Sequence, residues 1–296
     1  MDERFREAIE KWGGYQNKVF LNFSDSRFSP CEYIDTSLGI SRGLHPFWLM
    51  NPENMSNRDT IKILCLGNST TDFSFYGIHA WPYFLQLNLL KSAKQYSVLN
   101  GGVYYYTSTQ EMLSLLRDGL EVKPNLVISY SGLVDSVISS AGYPWTMNYY
   151  RGILAKMYSE YKLNDSSIED IYYGPQYSMH HNYVKNQMVM HSVCESYGIK
   201  FVNILQPTMI SGKYRCDDVD KRFLSCEYIN QEITRSRTFY SDVRKSLKSF
   251  SWFYDFSNLF DGHSSCFYEW SHTNEKGNNI ISGAIYALIE NILGEV

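Results

Sequence analysis

Residues 61–72 read IKILCLGNSTTD. An apolar run with a single lysine reaches Gly67, and then Asn68, Ser69, Thr70, Thr71 and Asp72 follow in succession. Such a run, bounded by polar residues, is what a strand covered on both faces requires. The hydroxyl cluster after it has two readings. Ser69 is a helix N-cap, a position that serine and threonine favour, or it is a nucleophile presented at the end of a sheet.

Outward from this stretch the chain alternates. AWPYFLQLNLLKSA (80–93) has helical spacing, with Pro82 tolerable in a first turn. YSVLNGG (96–102) reads as a short strand ending in two glycines, and STQEMLSLLRDGL (108–120) as a helix capped by Ser108 or Thr109. PNLVISYSG (124–132) and KFVNILQP (200–207) read as strands, YVKNQMVMHSVCESYGI (183–199) and NNIISGAIYALIENIL (278–293) as helices. This alternation predicts an α/β fold with a parallel sheet covered on both faces. Functional loops of such sheets gather at the carboxyl ends of the strands. Residues 67–69, 100–102 and 132–135 all fall there. Residues 1–60 read as a leading helix and a segment that wraps the core, ahead of one domain over 61–296. Two stretches, about 137–182 and 208–258, are too long for ordinary connections and read as lid-like, substrate-binding insertions. The second contains a helical pattern, YINQEITRSRTFYSDVRKSL.

Composition narrows the function. The chain has 296 residues, 44% hydrophobic and 20% charged, which suits a soluble globular protein with a sizeable core. Its net charge of −4 leaves no basic excess to neutralise phosphates, which argues against a nucleic-acid partner. Twenty-five tyrosines are the unusual figure. Sugar- and peptide-binding surfaces favour a flat apolar face with a polar tip, although a compositional bias would give the same count. The start, MDERFREAIEKWGG, has no apolar stretch of signal-peptide type, and no run approaches a membrane span. Six cysteines without CxxC spacing read as reduced thiols in a cytoplasm. Neither a metal nor a cofactor is indicated.

Near the end stands SCFYEWSHTNEKGNN (265–279), with Glu269 three residues before His272. A serine hydroxyl attacks poorly unless a base takes its proton, and imidazole is the usual base. A carboxylate then fixes the tautomer of the imidazole and stabilises its cation. Ser69, His272 and Glu269 together make a Ser–His–acid set, with Asp261 in LFDGHSS as the other candidate for the acid.

LGNSTTD, VLNGGVYYYTSTQE, KPNLVISYSGLVDS and FYEWSHTNEKGN, in this order and spacing, resemble the SGNH (GDSL-type) hydrolase superfamily over about residues 60–136 and 199–292. The resemblance implies a flavodoxin-like three-layer α/β/α sandwich. It implies hydrolysis or transfer of acyl groups on sugars, lipids and other small esters. It assigns the nucleophile to Ser69 and the base to His272, with the N–H groups of Ser69 and Gly102 binding the oxyanion. Three positions depart from the pattern: Asn68 stands for the usual aspartate, Glu269 for the aspartate three residues before the histidine, and Val134 for an asparagine of the oxyanion hole. Valine donates nothing, and such a donor is worth roughly 3 kcal/mol of barrier.

Three functions follow. The first is a serine esterase or O-acyl, in particular acetyl, hydrolase or transferase acting on a carbohydrate or other small ester. The second is a catalytically silent scaffold that binds a glycan or a protein partner. The third is a flavodoxin-like cofactor binder, disfavoured because GNSTTD lacks both the lysine of a P-loop and the glycines of a dinucleotide site. Asp135 reads as a structural residue that bonds backbone N–H groups. His180 and His181 read as loop residues or substrate contacts. Trp81, Trp145 and Trp270 read as packing residues or sugar platforms.

Overall fold

The structure, a computed structural model, describes residues 34–35, 40–41, 48–49, 59–72, 80–103, 106–140, 179–224 and 227–294. The leading helix expected near the N-terminus, Trp145 and most of the first expected insertion lie outside these residues.

Among the described residues eight strands form one sheet. They are β1 (Ile34–Asp35), β2 (Ile40–Ser41), β3 (Trp48–Leu49), β4 (Ile61–Gly67), β5 (Tyr96–Gly102), β6 (Leu126–Ser131), β7 (Lys200–Leu205) and β8 (Phe253–Asp255). The order is β1-β2-β3-β5-β4-β6-β7-β8. The last five are mutually parallel, and β1–β3 add antiparallel at the β5 edge, where Trp48 opposes Asn100 and Leu49 opposes Leu99. The helices are α1 (Trp81–Leu89), α2 (Ser108–Ser114), α3 (Leu133–Ser140), α4 (Met179–Ser196), α5 (Asp218–Leu224), α6 (Glu227–Leu247) and α7 (Glu275–Leu293). A wider π turn, Leu115–Gly119, continues α2.

The strand period of two explains the layers. Along β4, Ile63 and Cys65 enter one core with Trp81, Leu85 and Leu89 of α1 and Ile281, Ile285 and Ile289 of α7. Leu64 and Leu66 enter the other, with Leu115, with Tyr183, Met190 and Cys194 of α4, and with Phe239, Tyr240, Val243 and Leu247 of α6. Both faces of β4 are therefore dry, and the run IKILCL has almost no polar residue for that reason. The result is the expected three-layer α/β/α arrangement.

One expectation needs correction. Residues 208–258 supply α6, which fills the second core, and β8, which pairs with β7 through Asn203–Phe253, Ile204–Tyr254 and Leu205–Asp255. They complete the sandwich and do not form a lid-like insertion. Helix α2 begins after Thr107, so the cap lies one residue before Ser108; the Thr107 N–H donates to Gln110 Oε1 at 2.7 Å. Among the described residues no helix is long and apolar enough to cross a membrane. Within the same residues Cys65, Cys194, Cys216 and Cys266 are free thiols.

Candidate active site

Strand order places the site. In the sequence β4, β5, β6 the chain steps to one side of β4 and then to the other, so the loop after β4 opens at the point where the order reverses. Open α/β sheets bind ligands at this kind of switch point. Ser69 is the second residue past β4.

The loop there is tight. The N–H groups of Thr71 and Asp72 donate to Asn68 O at 2.9 and 3.0 Å, and that of Thr70 to Asn68 Oδ1 at 3.0 Å. A β-carbon on Gly67 would come within 2.3 Å of Thr71 Oγ1 and 2.8 Å of Tyr130 O. One on Gly102 would come within 2.6 Å of the Thr71 carbonyl carbon. Glycine at both strand ends thus lets the loop fold back across them. Asn100 Nδ2 holds the loop by donating to Thr71 O at 2.6 Å, and Trp81 Nε1 donates to Thr71 Oγ1 at 3.1 Å. Trp81 is fully buried against Tyr130, so its role is packing and loop support.

The histidine arrives from the other end of the chain. A bridge between Phe267 and Thr273 closes a short turn ahead of α7, and the Tyr268 N–H donates to His272 O at 2.8 Å. Asn274 caps α7 by accepting from Gly277 N–H at 3.1 Å. A bond from Met209 N–H to Trp270 O, 3.0 Å, ties the turn to the loop after β7, and Trp270 packs on the first core.

Ser69 Oγ lies 2.8 Å from His272 Nε2, although 203 positions separate the two residues. On the far side of the ring, Nδ1 meets Glu269 Oε1 in a short contact. The same oxygen accepts from His272 N–H at 2.7 Å and from Ser271 Oγ at 2.6 Å. Burial alone would raise the Glu269 carboxyl. The facing imidazole and the hydrogen bonds from His272 and Ser271 outweigh burial and hold it below the ordinary glutamate range. A neutral imidazole with its proton on Nδ1, toward that anion, presents a bare Nε2 to the Ser69 hydroxyl. Asp261 is exposed and accepts from the Lys213 N–H in another loop, so Glu269 is the acid brought to the ring.

The expected oxyanion donors stand differently. The Ser69 N–H has no acceptor among the described residues. The Gly102 N–H does have one, Asn100 Oδ1 at 2.9 Å, so in this arrangement it is not open to a ligand. Val134 is buried in the second core.

Below this edge lies a buried polar layer that sequence reading missed, apart from Asp135. Asp135 accepts from Ser108 N–H at 3.0 Å and from Ser108 Oγ at 2.6 Å, pinning the start of α2. Burial pushes its carboxyl up to about 6 against the pull of the Ser108 bonds. Glu111 accepts from Ser129 Oγ at 2.8 Å; burial and the nearby Asp135 raise it well above the usual range. Asn186 Nδ2 donates to Ser108 Oγ at 3.0 Å. Standing at 108, 111, 129, 135 and 186, these polar residues form no local pattern that marks them as one layer. His180 and His181 sit at the start of α4 with ring centroids 4.1 Å apart. Among the described residues no group of three or more His, Cys, Asp or Glu is placed to hold a metal ion.

No protein-family model matches the chain, and no curated protein matches it in sequence. Solved structures do match. The acetyl xylan esterase AlAXEase is 13% identical over 77% of this chain and 100% of its own, with a TM-score of 0.52. LAE5, an alpha/beta hydrolase enzyme from the metagenome of Lake Arreo, Spain, is 12% identical over 77% of this chain and 94% of its own, with a TM-score of 0.50. A GDSL-like lipase from Bacteroides thetaiotaomicron is 14% identical over 81% and 95%, with a TM-score of 0.48. With its parallel strands ordered β5-β4-β6-β7-β8 between two helical layers, the chain has the fold of the SGNH (GDSL-type) hydrolases.

Proposed function

We propose that the chain is a serine esterase or O-acyl hydrolase acting on small esters, acetylated carbohydrates foremost. The observation that carries this is the run of contacts from Ser69 Oγ through the His272 ring to Glu269. Ser69 Oγ attacks the acyl carbonyl as its proton passes to His272 Nε2, and Glu269 stabilises the imidazolium that forms. His272 returns the proton to the departing alcohol. Water then enters by the reverse sequence and frees the acid; a sugar hydroxyl in place of water makes the reaction a transfer. The Ser69 N–H faces the oxyanion, and Gly102 contributes once its N–H leaves Asn100. The acetyl xylan esterase among the structural neighbours supports the carbohydrate part of the proposal.

The buried Val134 and the engaged Gly102 N–H favour a second reading, a silent scaffold that binds a glycan or protein. One experiment separates the two. The wild type, Ser69→Ala and His272→Ala are treated with a small fluorophosphonate and weighed intact. A single adduct on the wild type, lost in both variants, supports the hydrolase. No adduct on the folded wild type turns the reading to the scaffold.

A further inference from the structure

The residue after β7, Gln206, is fully buried and spends every polar group it has. Its main-chain N–H donates to Ser131 O at 3.0 Å, at the end of β6. Its carbonyl accepts from Tyr240 Oη of α6 at 2.9 Å. Its side chain reaches the loop after β4, where Oε1 accepts from Asn68 Nδ2 at 2.8 Å and Nε2 donates to Thr70 Oγ1 at 3.2 Å. Asn68 and Thr70 are the two neighbours of Ser69.

We propose that Gln206 is a positioning residue for Ser69, which it holds by gripping the residues on both sides. The inference deepens the serine-hydrolase reading and rests on it. The chemistry of position 68 fits the role. Asn68 Oδ1 already accepts from the Thr70 N–H at 3.0 Å and from Thr70 Oγ1 at 2.9 Å, so its second atom is the one that faces Gln206 Oε1. An amide offers a donor there. A carboxylate would set two acceptors against each other, at a cost, since the pair is buried. Asn68 and Gln206 are thus a matched pair, which accounts for asparagine where the resemblance expects aspartate. The brace couples the nucleophile to three other elements: the end of β6, the end of β7 and α6.

The test is the rate at which a fluorophosphonate labels Ser69, measured per folded molecule, with thermal midpoints taken alongside. The proteins are the wild type, Gln206→Met, Asn68→Ala and the double variant. A serine displaced by about 1 Å reacts up to roughly 10²-fold more slowly, so each single variant is expected to label about ten- to a hundredfold more slowly. The double variant is expected to lose no more than the worse single one, because both break the same brace. Thr70→Val removes the far hydroxyl at constant volume; it is expected to slow labelling as well, and it serves if Gln206→Met does not fold. Wild-type labelling rates in Gln206→Met or Thr70→Val, with only the thermal midpoint lowered, would overturn the inference alone. Losses that multiply in the double variant would overturn the matched pair. A wild type that takes no label overturns the serine-hydrolase reading, and this inference falls with it.

Discussion

Asp135 makes a quantitative prediction in an unusual direction. Its carboxyl is completely buried and rises from an ordinary 3.8 to about 6 in the folded chain. At 1.36 kcal/mol per pH unit this difference is worth about 3 kcal/mol. The folded carboxyl keeps its proton where the unfolded one has released it, so the native state binds more protons between about pH 4 and 6. Stability therefore falls as pH rises through this window and levels off above it, the reverse of a carboxylate held by an ion pair. Glu111, raised by burial and by Asp135, adds a slope of the same sign from its own titration. Asp135→Asn isolates the single residue: its carbonyl can take the Ser108 N–H and its amide can face Ser108 Oγ. The assay is denaturant unfolding of both proteins at pH 4, 5, 6 and 7.5. The stability difference, wild type minus variant, should fall by about 2 kcal/mol from pH 4 to pH 7.5, the rest of the roughly 3 kcal/mol being lost below pH 4. A constant difference, or one that grows with pH, would refute the reasoning.

Three other perturbations follow from the geometry. Glu269→Gln removes the anion that orients His272, and fluorophosphonate labelling of Ser69 should slow by roughly 10³–10⁴-fold; an unchanged rate would mean that the ring is held by other contacts. Gly102→Ala forces a β-carbon against the Thr71 and Asp72 backbone, with close approaches of 2.6 and 2.7 Å. It should lower unfolding free energy by about 1–3 kcal/mol and slow labelling too, whereas a neutral effect would show that the loop can yield. Leu64→Ala empties a fully buried site in the second core, and calorimetry should find a loss of about 2–5 kcal/mol.

The fold was readable wherever burial leaves a mark on composition. Strands β4 to β7 are buried on both faces, so each is a concentrated run of apolar residues bounded by turn residues. β8 is only three residues, Phe253–Asp255, too short to show a strand pattern of its own, and it is held as a strand by pairing with β7. Losing β8 is what made residues 208–258 look like an insertion. Helix α6 could be read as a helix, but not as a core helix. Of the site, Ser69, His272 and Glu269 are legible because each residue type is chemically distinctive and stands near a strand end or a turn. Gln206 and Asn100 are not. Their importance lies in which atoms they meet across the sheet, 138 positions away for Gln206 and Asn68, and no local pattern encodes such a distance. The Gly102 N–H shows the converse: a recognisable motif does not reveal that a neighbouring side chain, Asn100, already occupies its donor.

The short strands at the β5 border have a consequence for how copies of the chain behave toward one another. A bare border strand is a template on which another chain can add itself. Here β3 covers Leu99 and Asn100, and lower down Gln86 of α1 covers the rest: its Oε1 accepts from the Val98 N–H at 2.8 Å and its Nε2 donates to Tyr96 O at 3.2 Å. One side-chain amide thus imitates a strand that is not there. Removing residues 1–50 would strip half of that shield from the strand that also carries Asn100 and Gly102, so the shortened chain should self-associate through the very border that frames the nucleophile.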